Sequence, residues 1–175
     1  MVTPHLSDSM ERLYAGGAQL RPMHDGTKLC GPAFTVRTSP GDNLLVHKAI
    51  DTAEPGDVIV VDAGGVNDNA IIGELMSARA EQRGVGGMVI WGAIRDSKEL
   101  SQGSFPVYAS GVTHRGPYKN GPGEINVTHR HGGMTGESRA TSSSATPTAW
   151  SRCRRSTPRP SSPRPRRSSP RKRSR

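Results

Sequence analysis

Glu74 is separated by twenty residues from the pair Arg95-Asp96, and glycine-rich turns lie beside both positions. Two carboxylates with a guanidinium between them suit a small, doubly anionic substrate held against a divalent metal. The planar fork of an arginine matches a carboxylate in a way that a lysine does not. Magnesium and manganese favour oxygen ligands and keep several waters, so one protein carboxylate is enough to hold either.

The elements around these residues predict that they converge. Pro55-Gly56 makes a turn, and residues 57–62 (Asp-Val-Ile-Val-Val-Asp) form a short β-branched run of the kind that reads as a buried strand. Ala63-Gly64-Gly65 ends it, and residues 66–72 read as irregular. Residues 73–83 are rich in helix formers and stop at Gly84, a natural residue for the left-handed turn after a helix, so Gly73 marks the helix start. Residues 88–91 (Met-Val-Ile-Trp) read as a second buried strand that Gly92 closes before Arg95-Asp96. In such a strand-helix-strand unit the connections leaving the strand ends share one edge of the layer, where α/β proteins bind ligands. Free N–H groups at the helix start favour an anion there. A plainer reading stays open: Arg95 and Asp96 cap a short helix at 97–100, and Glu74 favours a helix N-terminus through the dipole. The remaining elements are read as a helix at 9–15, a strand at 33–37, a helix at Leu44–Thr52, a strand at 107–109, and, after a loop rich in glycine and proline, a strand at 125–127.

Gly41-Asp42-Asn43-Leu44 through His47, Pro55-Gly56-Asp57, Gly73-Glu74-Leu75-Met76, Gly92-Ala93-Ile94-Arg95-Asp96 and Arg115-Gly116-Pro117 together resemble the RraA-like family, named for the regulator of ribonuclease activity A. That family includes metal-dependent 4-hydroxy-4-methyl-2-oxoglutarate aldolases as well as non-catalytic regulators. The resemblance covers about residues 3–134, and the acidic residue, the gap and the Arg-Asp pair mark the aldolase branch. It implies that Arg95 binds the pyruvyl carboxylate, Asp96 holds Mg²⁺ or Mn²⁺, and Gly73, Glu74, Leu75 and Met76 line the substrate site. Glu74 would position or deprotonate a metal-bound water. It further implies a single-domain α/β fold, a swivelling β/β/α sandwich, assembled as a homotrimer with sites near subunit interfaces.

A 2-oxo acid presents a carboxylate and a ketone oxygen side by side, and cleavage next to the ketone sends negative charge onto that oxygen as an enolate. Electrostatic stabilisation at the point where charge develops is the main service such a site performs. Loss of carbon dioxide from oxaloacetate forms the same enolate, so aldol cleavage and decarboxylation are two outcomes of one site. A regulator that binds a ribonuclease without catalysis is the alternative on the same fold.

Composition changes sharply after Met134. The chain has 24 Lys and Arg, 15 Asp and Glu and a formal net charge of +9, but twelve of the basic residues and none of the acidic ones lie in residues 138–175. The body is therefore mildly acidic, and the high charge belongs to the tail. Its Ser, Pro and Arg content cannot bury a core, which predicts disorder for 135–175; the resemblance implies an aldolase domain over 1–134 that is incomplete at its C-terminus. An arm that neutralises nucleic-acid phosphates is the direct reading of such a tail. A shift of the coding frame accounts for it better. Back-translated and read two bases later, residues 139–153 become an apolar strand, an acidic turn and a second strand, so the coding frame is read as shifting near Met134. Nucleic acid is then an expected partner only through the tail.

Several classes are not supported. No apolar run approaches the ~20 residues of a membrane span, and the N-terminus has no signal-peptide pattern, which makes the cytoplasm the default. His47, His114, His129 and His131 fit no zinc spacing and read as surface histidines. Gly64-Gly65 lacks the dinucleotide-binding spacing. Nothing resembles the glycine-rich methyl-donor site that an older menaquinone methyltransferase label for relatives would require.

Overall fold

The computed structural model describes residues 18–127, together with the backbone of two short strands, β8 (His129–His131) and β9 (Met134–Gly136). The elements of the body are β1 (Arg21–Pro22), β2 (Ala33–Thr38), α1 (Leu44–Thr52), β3 (Val58–Asp62), β4 (Ala70–Ile72), α2 (Glu74–Gln82), β5 (Gly87–Ile94), α3 (Ser97–Gln102), β6 (Val107–Val112) and β7 (Gly123–Ile125). The expected helix at 9–15 and residues 137–175 of the tail lie outside the described residues, whereas Thr135 and Gly136, expected to be disordered, belong to β9. The α/β class expected from the sequence is what the body adopts.

One sheet runs in the order β1-β6-β5-β3-β2-β7, with β4 also pairing with β5, while β8 and β9 form a separate antiparallel pair. The strands β2, β3, β5 and β6 are parallel, and β1 and β7 close the two edges antiparallel. Parallel strands need coverage on both faces and read as continuous apolar runs. Strand β5 (Gly-Met-Val-Ile-Trp-Gly-Ala-Ile) fits that description, with seven of its eight residues buried.

Alternation along the strands builds the core. Phe34 and Val36 of β2, Ile59 and Val61 of β3, Met88 and Ile90 of β5, and Val107 and Ala109 of β6 share one apolar cluster. Helix α1 adds Val46, Ala49 and Ile50, which lie on one stripe at i, i+3 and i+4. Ile90 is fully buried at the middle of the central strand. Ile90→Ala is expected to cost roughly 2–5 kcal/mol, measured as a fall in the urea midpoint with an unchanged slope.

Helix boundaries follow the punctuation in the sequence. Helix α1 has the expected bounds and stops before Glu54-Pro55, its C-cap Ala53 donating to Ala49 O. Helix α2 begins after Gly73 and ends with Gly84 at φ +80°, a backbone conformation that favours glycine. The side chains of Arg79 and Arg83 tie α2 to the end of α1: Arg79 Nη2 lies 2.6 Å from Asp51 Oδ1, and Arg83 Nε donates to Ile50 O at 2.9 Å.

Four expectations are corrected. Residues 66–72 are not wholly irregular, because Ala70–Ile72 form β4. Gly92 does not close β5, which continues to Ile94; a side chain at Gly92 would press on Ala63 Cβ at 3.1 Å and Ile71 Cγ1 at 3.4 Å. Strand β6 extends to Val112, and the next strand is Gly123–Ile125 rather than 125–127. The two-residue β1 was not foreseen.

The extra strand sets up the site. Strand β3 pairs with β5 from Val58↔Gly87 to Asp62↔Trp91, and β4 then takes the same side of β5, with Ala70↔Ala93 and Ile72↔Ile94. Chain leaving β4 and chain leaving β5 therefore emerge side by side.

Candidate active site

Register places Gly73 beside Arg95, and the backbone N–H of Arg95 donates to Ile72 O at 3.0 Å. A β-carbon on Gly73 would lie 2.9 Å from Arg95 Cγ and 3.0 Å from Arg95 Nε, and it would overlap Asp96 Oδ2. Gly73 has φ −147°, ordinary extended backbone, so this glycine is required by close approach and not by its torsion angle.

Asp96 occupies the N-cap position of α3 with φ 54° and ψ 39°. A non-glycine residue in the left-handed region is uncommon, although aspartate tolerates it better than most. The helix it precedes gains no side-chain cap from it. Instead Oδ2 accepts the backbone N–H of Glu74 at 3.1 Å and lies 3.5 Å from Arg95 Nε. That arrangement argues against a mere capping role for Asp96. Its carboxylate faces the N-terminus of α2, where peptide dipoles favour negative charge. Among the described residues Oδ1 takes no hydrogen bond, leaving one hard oxygen available. Arg95 and Asp96 are both partly exposed, at 44% and 38% of their side-chain surface.

A pocket beside this cluster is lined by Asn43, Ile71, Ile72, Gly73, Leu75, Met76, Arg95 and Pro117. Of the residues expected to contact substrate, Gly73, Leu75, Met76 and Arg95 form its wall. Glu74 and Asp96 do not line it; they follow the lining residues Gly73 and Arg95 in the chain and are joined through the Glu74 N–H. Glu74 is exposed as the first residue of α2.

Asn43 and Pro117 belong to the family-like motifs but are not among the residues expected in the site. Asn43 precedes α1 without capping it; its Nδ2 donates to Ile71 O at 3.0 Å and lies 3.2 Å from Met76 Sδ. Its Oδ1 is buried with no hydrogen-bond partner among the described residues. The signal available in the sequence was a polar pair, Asp42-Asn43, ahead of an apolar helix, which reads first as capping. Asp42 is 2% exposed. Burial alone would raise its carboxyl pKa, but the N–H groups of Leu44, Gly121 and Asn120 outweigh that and hold it below the ordinary value of 3.8.

His47 is half-buried rather than on the open surface as expected. Burial, with the nearby cations Lys119 and Arg79, lowers its pKa below 6.5 against an opposing pull from Asp51. The shift favours the neutral imidazole. His114 is exposed, and the side chains of His129 and His131 lie outside the described residues. Among the described residues no group of three or more His, Cys, Asp or Glu converges to hold a metal ion. Asp96 alone suits a cation such as Mg²⁺, which accepts a single protein carboxylate with waters and substrate oxygens completing its shell.

Residues 3–140 match the sequence profile of the RraA-like family, described as Aldolase/RraA. The chain belongs to the RraA-like family. A Halalkalibacterium halodurans relative, provisionally named 4-hydroxy-4-methyl-2-oxoglutarate aldolase, is 39% identical over 132 residues, covering 75% of this chain and 63% of the relative. One from Ectopseudomonas mendocina with the same provisional name is 30% identical over 134 residues, covering 77% of this chain and 83% of the relative. The chain thus spans less than two thirds of the first relative's length. Among solved structures, an S-adenosylmethionine:2-dimethylmenaquinone methyltransferase from Geobacillus kaustophilus superposes with TM-score 0.72 at 32% identity, over 79% of this chain and 86% of that one. The RNA-processing inhibitor RraA from Thermus thermophilus gives 0.70 at 30% identity, over 77% and 82%. This RraA-like chain therefore shares one fold with proteins whose names span three activities, and its own side chains must discriminate among them.

Proposed function

We propose that this RraA-like chain is a divalent-metal-dependent class II aldolase that cleaves 4-hydroxy-4-methyl-2-oxoglutarate into two pyruvates and also decarboxylates oxaloacetate. The observation that carries the reading is the Asp96 carboxylate, turned away from its own helix onto the Glu74 N–H and lying 3.5 Å from Arg95 Nε beside a pocket.

Arg95 binds the substrate's C1 carboxylate through its guanidinium fork. The start of α2, at Gly73 to Met76, lies along the substrate, with Leu75 and Met76 giving the pocket an apolar side. Asp96 is the residue that would hold Mg²⁺ or Mn²⁺, which when bound supplies Lewis-acid stabilisation to the ketone oxygen. Glu74, exposed to solvent, takes the proton of the C4 hydroxyl through water. The C3–C4 bond breaks as C4 becomes the ketone of one pyruvate, and its electron pair passes to the C2 oxygen as an enolate. Protonation at C3 yields the second pyruvate. With oxaloacetate the C3–C4 bond breaks with loss of carbon dioxide, and the same enolate follows.

Released pyruvate, followed with a coupled dehydrogenase, tests the reading on the chain and on a version with the reading frame restored after Met134. Turnover is expected with Mg²⁺ or Mn²⁺ and is lost with a chelator, then regained on adding metal back. Metal-independent turnover, or none in the frame-restored protein, would sink the proposal.

The second reading, a non-catalytic regulator that inhibits a ribonuclease by contact, is favoured by the likeness to the Thermus RraA. The Glu74 and Arg95-Asp96 constellation argues for catalysis instead. A homotrimer in the cytoplasm belongs to the same proposal; among the described residues no helix is long and apolar enough to cross a membrane.

A further inference from the structure

The segment 115–121 between β6 and β7 lies mostly exposed and has no regular secondary structure, yet it forms one wall of the pocket. Pro117 lines the cavity, and the β-carbon position of Gly116 is 3.9 Å from Arg95 Nη1. A strap with so little buried surface is held by its anchors. At the near end the Ala70 N–H donates to Arg115 O at 2.9 Å, and Asn69 Nδ2 donates to Gly116 O at 2.6 Å. In the middle, Tyr118 N–H donates to Gly41 O at 2.8 Å, and Asn43 N–H donates to Tyr118 O at 3.0 Å.

At the far end the anchor is a charge. Asp42 Oδ2 accepts the N–H groups of Asn120 at 2.6 Å and Gly121 at 2.7 Å. Its other oxygen accepts the Leu44 N–H at 2.9 Å, at the start of α1. A plain Asx turn before α1 accounts for Oδ1 but not for Oδ2, which is spent wholly on the strap. Hydrogen bonds to an ionised acceptor are roughly twice as strong as neutral ones, and this carboxylate is buried.

We infer that Asp42 is a positioning residue of the site, a clasp that sets the strap across the pocket so that Gly116 and Pro117 face Arg95. This rests on the reading of the pocket as a substrate site, and it adds that substrate affinity is controlled from a residue that touches no substrate.

The test uses Asp42→Asn in the full chain. Its amide nitrogen cannot accept, so either the strap or α1 loses its partner. Trypsin is expected to cut after Arg115 and Lys119 about tenfold faster than in the unmutated chain, at a temperature where circular dichroism is unchanged. Fragments beginning at Gly116 and Asn120, followed by mass spectrometry, report this. The oxaloacetate KM should rise about tenfold with little change in kcat, since the wall meets ground and transition states alike. Unchanged cutting at the strap would overturn the inference, as would a loosened strap with an unchanged KM. Amide exchange on the unmutated chain keeps the test valid if the variant does not fold. The Asn120 and Gly121 N–H groups should be protected, and exchange at free-peptide rates would refute the clasp. If the frame-restored protein shows no turnover, the proposed function fails, while cleavage and exchange still decide the clasp.

Discussion

Asp96→Ala is expected to abolish metal-dependent pyruvate release, and Arg95→Ala to lower kcat/KM by about 10²–10³-fold, the size of effect seen when one preorganised stabilising group is lost. The two losses differ in kind. Among the described residues Asp96 is the one carboxylate whose oxygen both faces the Glu74 N–H and lies 3.5 Å from Arg95 Nε, so its removal is expected to take away the proposed cation site. Arg95 lines the pocket, so on the proposed reading its removal is expected to leave the metal-dependent step in place while loosening the hold on the substrate carboxylate. Alanine at position 96 carries a confounding cost, because φ is 54° there and alanine tolerates the left-handed region poorly. Asp96→Asn answers this. Asparagine tolerates that backbone and keeps the shape while losing the charge, so it should be as inactive as the alanine variant with less loss of stability. Calorimetric titration with Mn²⁺ and an oxaloacetate assay on both variants check the expectation. Near-normal turnover in Asp96→Asn would end the assignment of Asp96 to the metal.

What the sequence made legible, and what it hid, follows from how each feature is encoded. The bounds of α1 and the caps of α2 were readable because glycine and proline punctuate the chain locally at Pro55, Gly73 and Gly84. Strand β4 was hidden because three apolar residues, Ala70–Ile72, have no period of their own, and they become a strand by pairing with the second half of β5. Gly92 was misread because a glycine between apolar residues usually ends a strand, whereas this one makes room for Ala63 and Ile71. Glu74, Arg95 and Asp96 were singled out by type and spacing together with the family resemblance, and the structure brings the Asp96 carboxylate onto the Glu74 N–H beside Arg95. Asn43 and Pro117 reach the pocket only through contacts made by distant segments, and an uncharged asparagine before a helix looks like a cap until its Nδ2 is seen on Ile71 O. The charge pattern was thus visible in the sequence, while the pocket wall depends on the topology.

Gly73→Ala should be the most informative small change, because it adds one methyl group where two site residues meet. The extended backbone at φ −147° accepts alanine, and nothing in the main chain resists the substitution. The space does. The new β-carbon would overlap Asp96 Oδ2 and sit 2.9 Å from Arg95 Cγ. Those neighbours belong to partly exposed side chains that can swing away, so overpacking should cost only about 1 kcal/mol, at the low end for an added methyl group. The swing, however, moves the carboxylate off the Glu74 N–H and the guanidinium off the pocket. Misplacement of reacting groups by about 1 Å can cost 10²-fold, so kcat/KM for oxaloacetate is expected to fall about 100-fold in a protein whose thermal unfolding barely changes. A steady-state assay beside a melting curve separates the two. If activity survives the methyl group, the close approach of Gly73 to Arg95 and Asp96 has no bearing on catalysis. If stability falls with it, glycine is held at this position by packing rather than by the site.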